Sequence, residues 1–283
     1  MNIELENVSF GYTKHTTLLK NISIRIKQGE MIAIAGKSGA GKTTLTKILK
    51  GFNLPTSGKL LLDGVLPVKK NRKRFNEIGY VFQYPEHQLF SVTVFKDISF
   101  GLEQYHYPEV KKKERISEAM HSVGLDFERF VSKSPLELSG GEKRRVAIAG
   151  VIVNSPSVII LDEPSAGLDS DARDQLFHLL HRLNVEKRTT IIWVSHYPDE
   201  IIQYASRLLV IDRGSILSDG NPLDLLAKKV LTDAFGWSEV PVIKTYQFIK
   251  EKYSVKIKEP WNLQMVSRIL TRELKNNKCL GKT

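Results

Sequence analysis

Lys42 and Thr43 follow Gly36, Lys37, Ser38, Gly39, Ala40 and Gly41, so the stretch reads G-x-x-x-x-G-K-T. Glycines at these places let backbone N–H groups curl around an anion without Cβ clashes, and a following helix adds its positive N-terminal end. A lysine and a hydroxyl next in line suit a bound nucleotide. Lys42 is placed to reach the β- and γ-phosphates, and the Thr43 hydroxyl to ligate Mg²⁺. The pattern has meaning only between a strand and a helix. Met31 to Ala35 is an apolar run of strand length, and Leu45, Ile48 and Leu49 recur at helical spacing.

Other groups could act beside such a loop. Asp162 and Glu163 stand directly after the apolar run from Ser157 to Leu161. Two carboxylates there suit Mg²⁺ handling and activation of a water. His196 follows the apolar run 189–194, where it could sense a γ-phosphate or simply cap a strand. Gln83 ends the run from Ile78 to Phe82, and its amide oxygen could serve a metal or a water. Ser139, Gly140, Gly141 and Glu142 open a helix that runs through Ile152. Serine and two glycines there make either a second phosphate site or a plain N-cap. Tyr12, beside Phe10 and Gly11, could stack on a base or pack as an ordinary aromatic.

The remaining pattern supplies the elements that position these groups. Ile3/Leu5, Val8/Phe10 and Ile22/Ile24/Ile26 alternate as strands, and Lys59 to Leu62 is a short one between turn signals. Residues 92–102 and 110–123 read as helices, with Gly124 stopping the second. The apolar stripe of the second is narrow, as expected of a surface subdomain. Asp171 to Leu183 reads as a helix, and Asp212, Arg213 and Gly214 as a hairpin turn. Helices are further expected over 221–234, 240–253 and 261–274, with a polar end from Lys275.

Composition narrows the class. One cysteine, Cys279, excludes an internal disulfide framework and a cysteine metal cluster. No apolar run reaches spanning length, and the N-terminus lacks a signal-peptide pattern, so the chain is not expected to cross a membrane. The net charge of +11 fits an anionic membrane face or a polyanionic ligand. The lysines lie in short clusters without interleaved aromatics, which argues against nucleic acid as partner.

The order of the motifs says more than any one of them. Tyr12, the 36–43 loop, Gln83, Leu138-Ser139-Gly140-Gly141, Asp162-Glu163, the loop to Asp169 and His196 occur in the order of an ABC-transporter ATPase domain. The chain resembles that family from about Met1 to Asp219. The resemblance implies an α/β P-loop NTPase fold: a RecA-like core, an N-terminal antiparallel β subdomain, a helical signature subdomain and a small C-terminal helical extension. Residues 1–220 would be the nucleotide-binding domain, with the helical subdomain over about 84–155. Residues 221–283 would be a dimerisation region. The segment from Gln83 to Phe90, the run from Arg144 to Val151 and the Asp162 to Asp169 stretch are most similar to energy-coupling-factor (ECF) transporter ATPases.

In those terms Tyr12 stacks on the base, and Gly36, Lys37, Ser38, Gly39, Ala40, Gly41, Lys42, Thr43 and Thr44 hold the phosphates. Thr43, Gln83 and, through water, Asp162 hold Mg²⁺. Glu163 is the catalytic base, Asp169 the D-loop aspartate and His196 the switch histidine. Ser139, Gly140, Gly141 and Glu142 close over ATP held by a second ATPase, so one chain carries incomplete sites. The resemblance further implies a transmembrane coupling protein met through Gln83 to Phe90, a membrane-embedded substrate-binding subunit, and a place on the cytoplasmic face of a prokaryotic cell membrane. The transported solutes would be vitamins or nickel and cobalt ions. Two residues depart from the commonest pattern. Glu142 stands where glutamine is usual and adds charge near bound phosphate, and Lys37 adds positive charge inside the loop. The alternatives are the ATPase of another ABC importer or exporter, a soluble ABC ATPase, or a binding-only regulator. The intact Lys42, Asp162, Glu163 and His196 speak against the last.

Overall fold

The computed structural model describes residues 1–226 apart from 14 and 68, together with 228, 231, 237, 241, 243–245, 247 and 248. β1 (Ile3–Phe10) and β2 (Leu19–Ile26) lead into β3 (Met31–Gly36), the glycine loop and α1 (Lys42–Lys50). β4 (Ser57–Leu62) then pairs with β1, which gives an antiparallel sheet in the order β2-β1-β4. The switch of phase between Ile3/Leu5 and Val8/Phe10 has a local cause. Asn7 adopts φ 49°, the register shifts between Leu5 and Val8, and all four apolar side chains are buried.

The second sheet carries the chemistry. Its order is β5 (Ile78–Val81), β6 (Val158–Leu161), β7 (Thr190–Val194), β3, β8 (Arg207–Asp212), β9 (Ser215–Gly220). All neighbours are parallel except β8 and β9. β3, β6 and β7 are apolar at nearly every position because both faces are covered. Ala33, Ala35, Ile159, Leu161, Ile191 and Trp193 join one buried cluster, while Ile32, Ile34, Val158, Ile160, Ile192 and Val194 join the other. The second of these clusters also holds the inward side of the antiparallel sheet and α1.

The first cluster continues into four helices inserted between β5 and β6: α2 (Val94–Phe100), α3 (Glu109–Ser122), α4 (Phe127–Phe130) and α5 (Gly140–Ile152). The narrow stripe expected on α3 is Ile116, Ala119 and Met120, all buried, while Val110 is exposed. α6 (Ser170–Lys187) connects β6 to β7, and α7 (Pro198–Tyr204) connects β7 to β8. Of the helix expected over 221–234, α8 (Pro222–Leu226) is described, and Asn221 Oδ1 accepts from Leu223 N at 2.9 Å to cap it. The described residues between 241 and 248 are helical, and the helix expected over 261–274 lies outside the described residues. No helix among the described residues is long and apolar enough to cross a membrane.

The hairpin turn between β8 and β9 ties the two sheets to the loop. Gly214 takes φ 81°, its N–H donates to Ala40 O at 3.1 Å and its carbonyl accepts from Lys20 N at 2.8 Å. A Cβ on Gly214 would lie 1.9 Å from Leu18 O, so only glycine fits.

Candidate functional site

One row of paired residues explains where the reactive groups meet. Val81 pairs with Leu161, Leu161 with Trp193, and Trp193 with Ala33, across four parallel strands. Gln83 and Glu163 stand two residues beyond that row, Gly36 and His196 three beyond. All four therefore leave the sheet at the same edge, where ligands of such sheets bind.

The glycine loop leaves β3 through Gly36, where a Cβ would meet the Ile211 carbonyl oxygen at 2.4 Å. Lys37, Ser38 and Gly39 face solvent, while Ala40, Gly41 and Lys42 are buried. Lys42 Nζ folds back over the loop and donates to Gly36 O at 2.8 Å and Lys37 O at 3.1 Å. Burial lowers its pKa, and the fields of Glu163 and Asp162 oppose that shift. Beside it, Thr43 Oγ1 donates to Asp162 Oδ1 at 3.1 Å. Burial holds Asp162 above the usual carboxylate range, with the Thr43 hydrogen bond pulling it back. Tyr12 lies across the start of α1, 61% exposed, with its hydroxyl 3.4 Å from Thr44 Oγ1 and accepting from Asn53 Nδ2 at 3.4 Å. A base could therefore stack on its free face.

Glu163 is the centre of a second cluster. Its Oε2 accepts from Gln83 Nε2 at 2.9 Å, and its Oε1 lies 3.2 Å from His196 Nε2. Glu163 adopts φ 48°, a left-handed backbone that costs a non-glycine residue energy and clusters at functional sites. Lys42, Thr43, Asp162, Glu163, Gln83 and His196 are thus brought together from four separate stretches of chain.

The residues 139–142 stay apart. Ser139, Gly140 and Gly141 are exposed, and among the described residues no hydrogen bond joins them to the 36–43 loop. Ser139 N-caps α5 and forms a capping box with Glu142: Glu142 N donates to Ser139 Oγ at 3.3 Å, and Ser139 N donates to Glu142 Oε2 at 2.8 Å. The Glu142 carboxylate is therefore held by the backbone of its own helix start. The Ser139 N–H is also the main reason that its pKa is lowered. Glutamine serves this box equally well. Glu142→Gln is expected to change stability by no more than about 0.5 kcal/mol, the size of one terminal charge–dipole contact, as read by thermal unfolding. Asp169 likewise caps α6, accepting from Ala172 N at 2.8 Å.

Arg144 is a residue whose role spacing did not disclose. It is 8% exposed, and its guanidinium donates to Pro164 O at 3.2 Å and Ala166 O at 3.2 and 3.3 Å, while its Nε pairs with Glu86 at 3.5 Å. One side chain of α5 thus grips both the loop after Glu163 and the segment after Gln83.

Comparison with known proteins agrees with this architecture. The family model described as ABC transporter matches residues 19–166. The energy-coupling factor transporter ATP-binding protein EcfA2 of Clostridium tetani is 40% identical over 259 residues, which is 89% of this chain and 90% of that relative. EcfA2 of Clostridium perfringens is 36% identical over 284 residues, 98% of this chain and 100% of the relative. The chain belongs to the energy-coupling factor transporter ATP-binding protein family. It binds ATP and hydrolyses it. Among solved structures, cbiO1 of Clostridium perfringens, part of the ABC transporter complex cbiONQ, superimposes with TM-score 0.74 at 36% identity, covering 86% of this chain and 97% of that one. The ATP-binding cassette MJ0796, in a dimeric post-hydrolysis state with ADP and Pi, gives TM-score 0.67 at 26% identity over 78% of this chain and 98% of its own. The α/β P-loop ATPase fold expected of this ECF family member is the fold found.

Proposed function

We propose that this chain is the ATP-hydrolysing subunit of an ECF importer that takes up vitamins or transition-metal ions such as nickel or cobalt. Residues 1–220 act as the nucleotide-binding domain, the insertion over about 84–155 as its helical subdomain, and 221–283 as a dimerisation region. The base of ATP stacks on Tyr12, and the loop from Gly36 to Thr44 holds its phosphates. Lys42 neutralises the β- and γ-oxygens, so catalysis is largely positioning and charge stabilisation. Glu163 accepts the proton of the attacking water, and His196 and Gln83 orient that carboxylate. Mg²⁺ fits the donors present. Thr43 and Asp162 offer hard oxygen ligands, and the buried Asp162 carboxylate is one that a divalent cation would stabilise. Gln83 adds an amide oxygen. The ion, when bound, screens charge on the phosphates.

Pairing with a second ATPase supplies what one chain lacks. Ser139, Gly140, Gly141 and Glu142 are exposed or half-exposed at a helix start. In the pair they close over the partner's ATP, as their N–H groups and the helix end suit phosphate. Hydrolysis reopens the pair.

The observation that carries the transporter reading is an uncovered aromatic cleft. Phe52 stacks on Phe82 at 5.9 Å, and Phe90 meets Phe100 edge-on at 5.1 Å. All four are more than 40% exposed. Phe52 and Phe100 line a cleft of about 620 Å³ together with Lys50, Tyr80 and Asn154, between the core and α2/α5. Exposed aromatic surface of this kind marks a partner site. Its occupant is an amphipathic segment of the transmembrane coupling protein, met through the 83–90 segment at the cytoplasmic face of the membrane.

Affinity purification of the chain from detergent-solubilised native membranes tests this. A polytopic coupling protein, a second ATPase and a small binding subunit should co-purify. Recovery with only soluble complexes would overturn the transporter reading. Phe90→Asp, at a position 68% exposed, should leave folding and ATP binding within experimental error but abolish recovery of the membrane components.

A further inference from the structure

A second carboxylate lies behind Glu163 and His196, and the mechanism above makes no use of it. Glu200, in the first turn of α7, is 2% exposed. Among the described residues neither of its carboxylate oxygens has a partner at hydrogen-bonding geometry, and neither has the equally buried Trp193 Nε1. The groups turned toward it are the hydroxyls of Ser195 and Ser165 and the indole N–H of Trp193. Both serines are buried, at 1% and 2% exposure.

These neighbours sit where the chemistry is decided. Ser195 directly precedes His196, and Ser165 comes two residues after Glu163. Ser195 Oγ already accepts from Tyr197 N at 2.9 Å, and its donation to Tyr197 O is long at 3.4 Å. Its proton is therefore available to an acceptor of higher charge. A buried carboxylate with no ion pair is costly, and every such group in a native fold asks for a reason. The strained φ of Glu163 supplies one, because strain persists only where the surroundings over-determine it.

We infer that Glu200 is a positioning residue: its carboxylate draws in the hydroxyls of Ser165 and Ser195 and so clamps the loop that carries Glu163 to the strand end that carries His196. This rests on the assignment of Glu163 and His196 as the hydrolytic pair. Burial pushes Glu200 up to about 7, against the opposing pull of Ser195, Ser165 and Arg173. The charged group acting on it is Arg173 of α6, and Glu200 in turn acts, with Asp174 of α6, on Tyr204 of α7, which burial pushes up to about 12. Arg173 lies over the Tyr197 ring at 4.3 Å and its Nε has no hydrogen-bond partner among the described residues, so its charge is only partly spent elsewhere. The ionised carboxylate is the stronger acceptor, so the clamp tightens as pH rises through neutrality.

Glu200→Gln in the full chain, assembled with its partners, is the test. The turnover number should fall at least tenfold, with ATP affinity changed less than twofold. The wild-type turnover number should drop as pH falls through about 7, and the variant should lack that inflexion. Ser165→Ala should reproduce the loss, and adding it to Glu200→Gln should cost nothing further. Unchanged turnover and an unchanged pH profile in Glu200→Gln would overturn the inference, as would fully additive losses. A reading without turnover separates this from the assignment of the hydrolytic pair. An acid whose folded pKa is raised destabilises the fold as pH climbs from its ordinary value to the raised one. The melting temperature of Glu200→Gln should therefore gain on wild type between pH 5 and pH 8. A constant difference would show that Glu200 does not titrate in the fold, whatever Glu163 does.

Discussion

Glu163→Gln stops ATP turnover and spares ATP binding. The amide keeps the size of the side chain and can still meet Gln83 and His196, which hold the carboxylate at 2.9 and 3.2 Å. What it loses is the ability to take a proton from water. A positioned general base contributes roughly 10²- to 10⁴-fold, so single-turnover hydrolysis should fall by at least the lower figure. The phosphate loop is untouched. Lys42 remains anchored on Gly36 O and Lys37 O, and Thr43 on Asp162. Equilibrium binding of ATP should therefore match wild type, and the ATP-closed pair should accumulate because hydrolysis no longer opens it. Gel filtration with ATP and Mg²⁺ reads that accumulation. Hydrolysis near the wild-type rate would transfer the base role to another group.

Arg144→Leu is expected to have the largest effect on stability and to cut the link between the membrane partner and the site. The guanidinium satisfies the carbonyls of Pro164 and Ala166 and faces Glu86. Leucine fills part of the volume but leaves these acceptors bare and Glu86 without its counter-charge. Breaking a buried pair costs about 3–5 kcal/mol. The Glu86 side chain is 22% exposed, which favours the lower end. A loss of about 3 kcal/mol lowers the melting temperature by roughly 6–12 °C in a chain of this size. The functional consequence follows from geometry. Arg144 is the side chain of α5 that touches both the segment after Gln83 and the loop after Glu163. Without it, basal hydrolysis should persist at temperatures where the variant is folded, while stimulation by the membrane components is lost. Stimulation equal to wild type would show that the signal travels by another route.

Much of the site was readable before any coordinates. The glycine loop, its strand and its helix are local in sequence, and so is their chemistry. The Ser139/Glu142 pair has the spacing of a capping box, and the structure shows that box made. It also shows the Glu142 carboxylate committed to the Ser139 N–H, so the charge that the sequence placed near phosphate is already partnered within its own chain. The phase shift between Ile3/Leu5 and Val8/Phe10 foreshadowed the bulge at Asn7.

By itself, then, the sequence determined the kind of chemistry, because phosphate binding, metal ligation and capping depend on residue types a few positions apart. It also determined which runs are buried strands, since both faces of the central sheet are covered. Only the tertiary structure decided the strand order β5-β6-β7-β3-β8-β9, which brings Gln83, Glu163, His196 and Lys42 to one edge. It alone placed Arg144 between two loops and left Glu200 buried without an ion pair among the described residues. The physical reason is the same in each case. These contacts join residues that are tens of positions or more apart, and no local propensity reports which distant groups a folded sheet will set side by side.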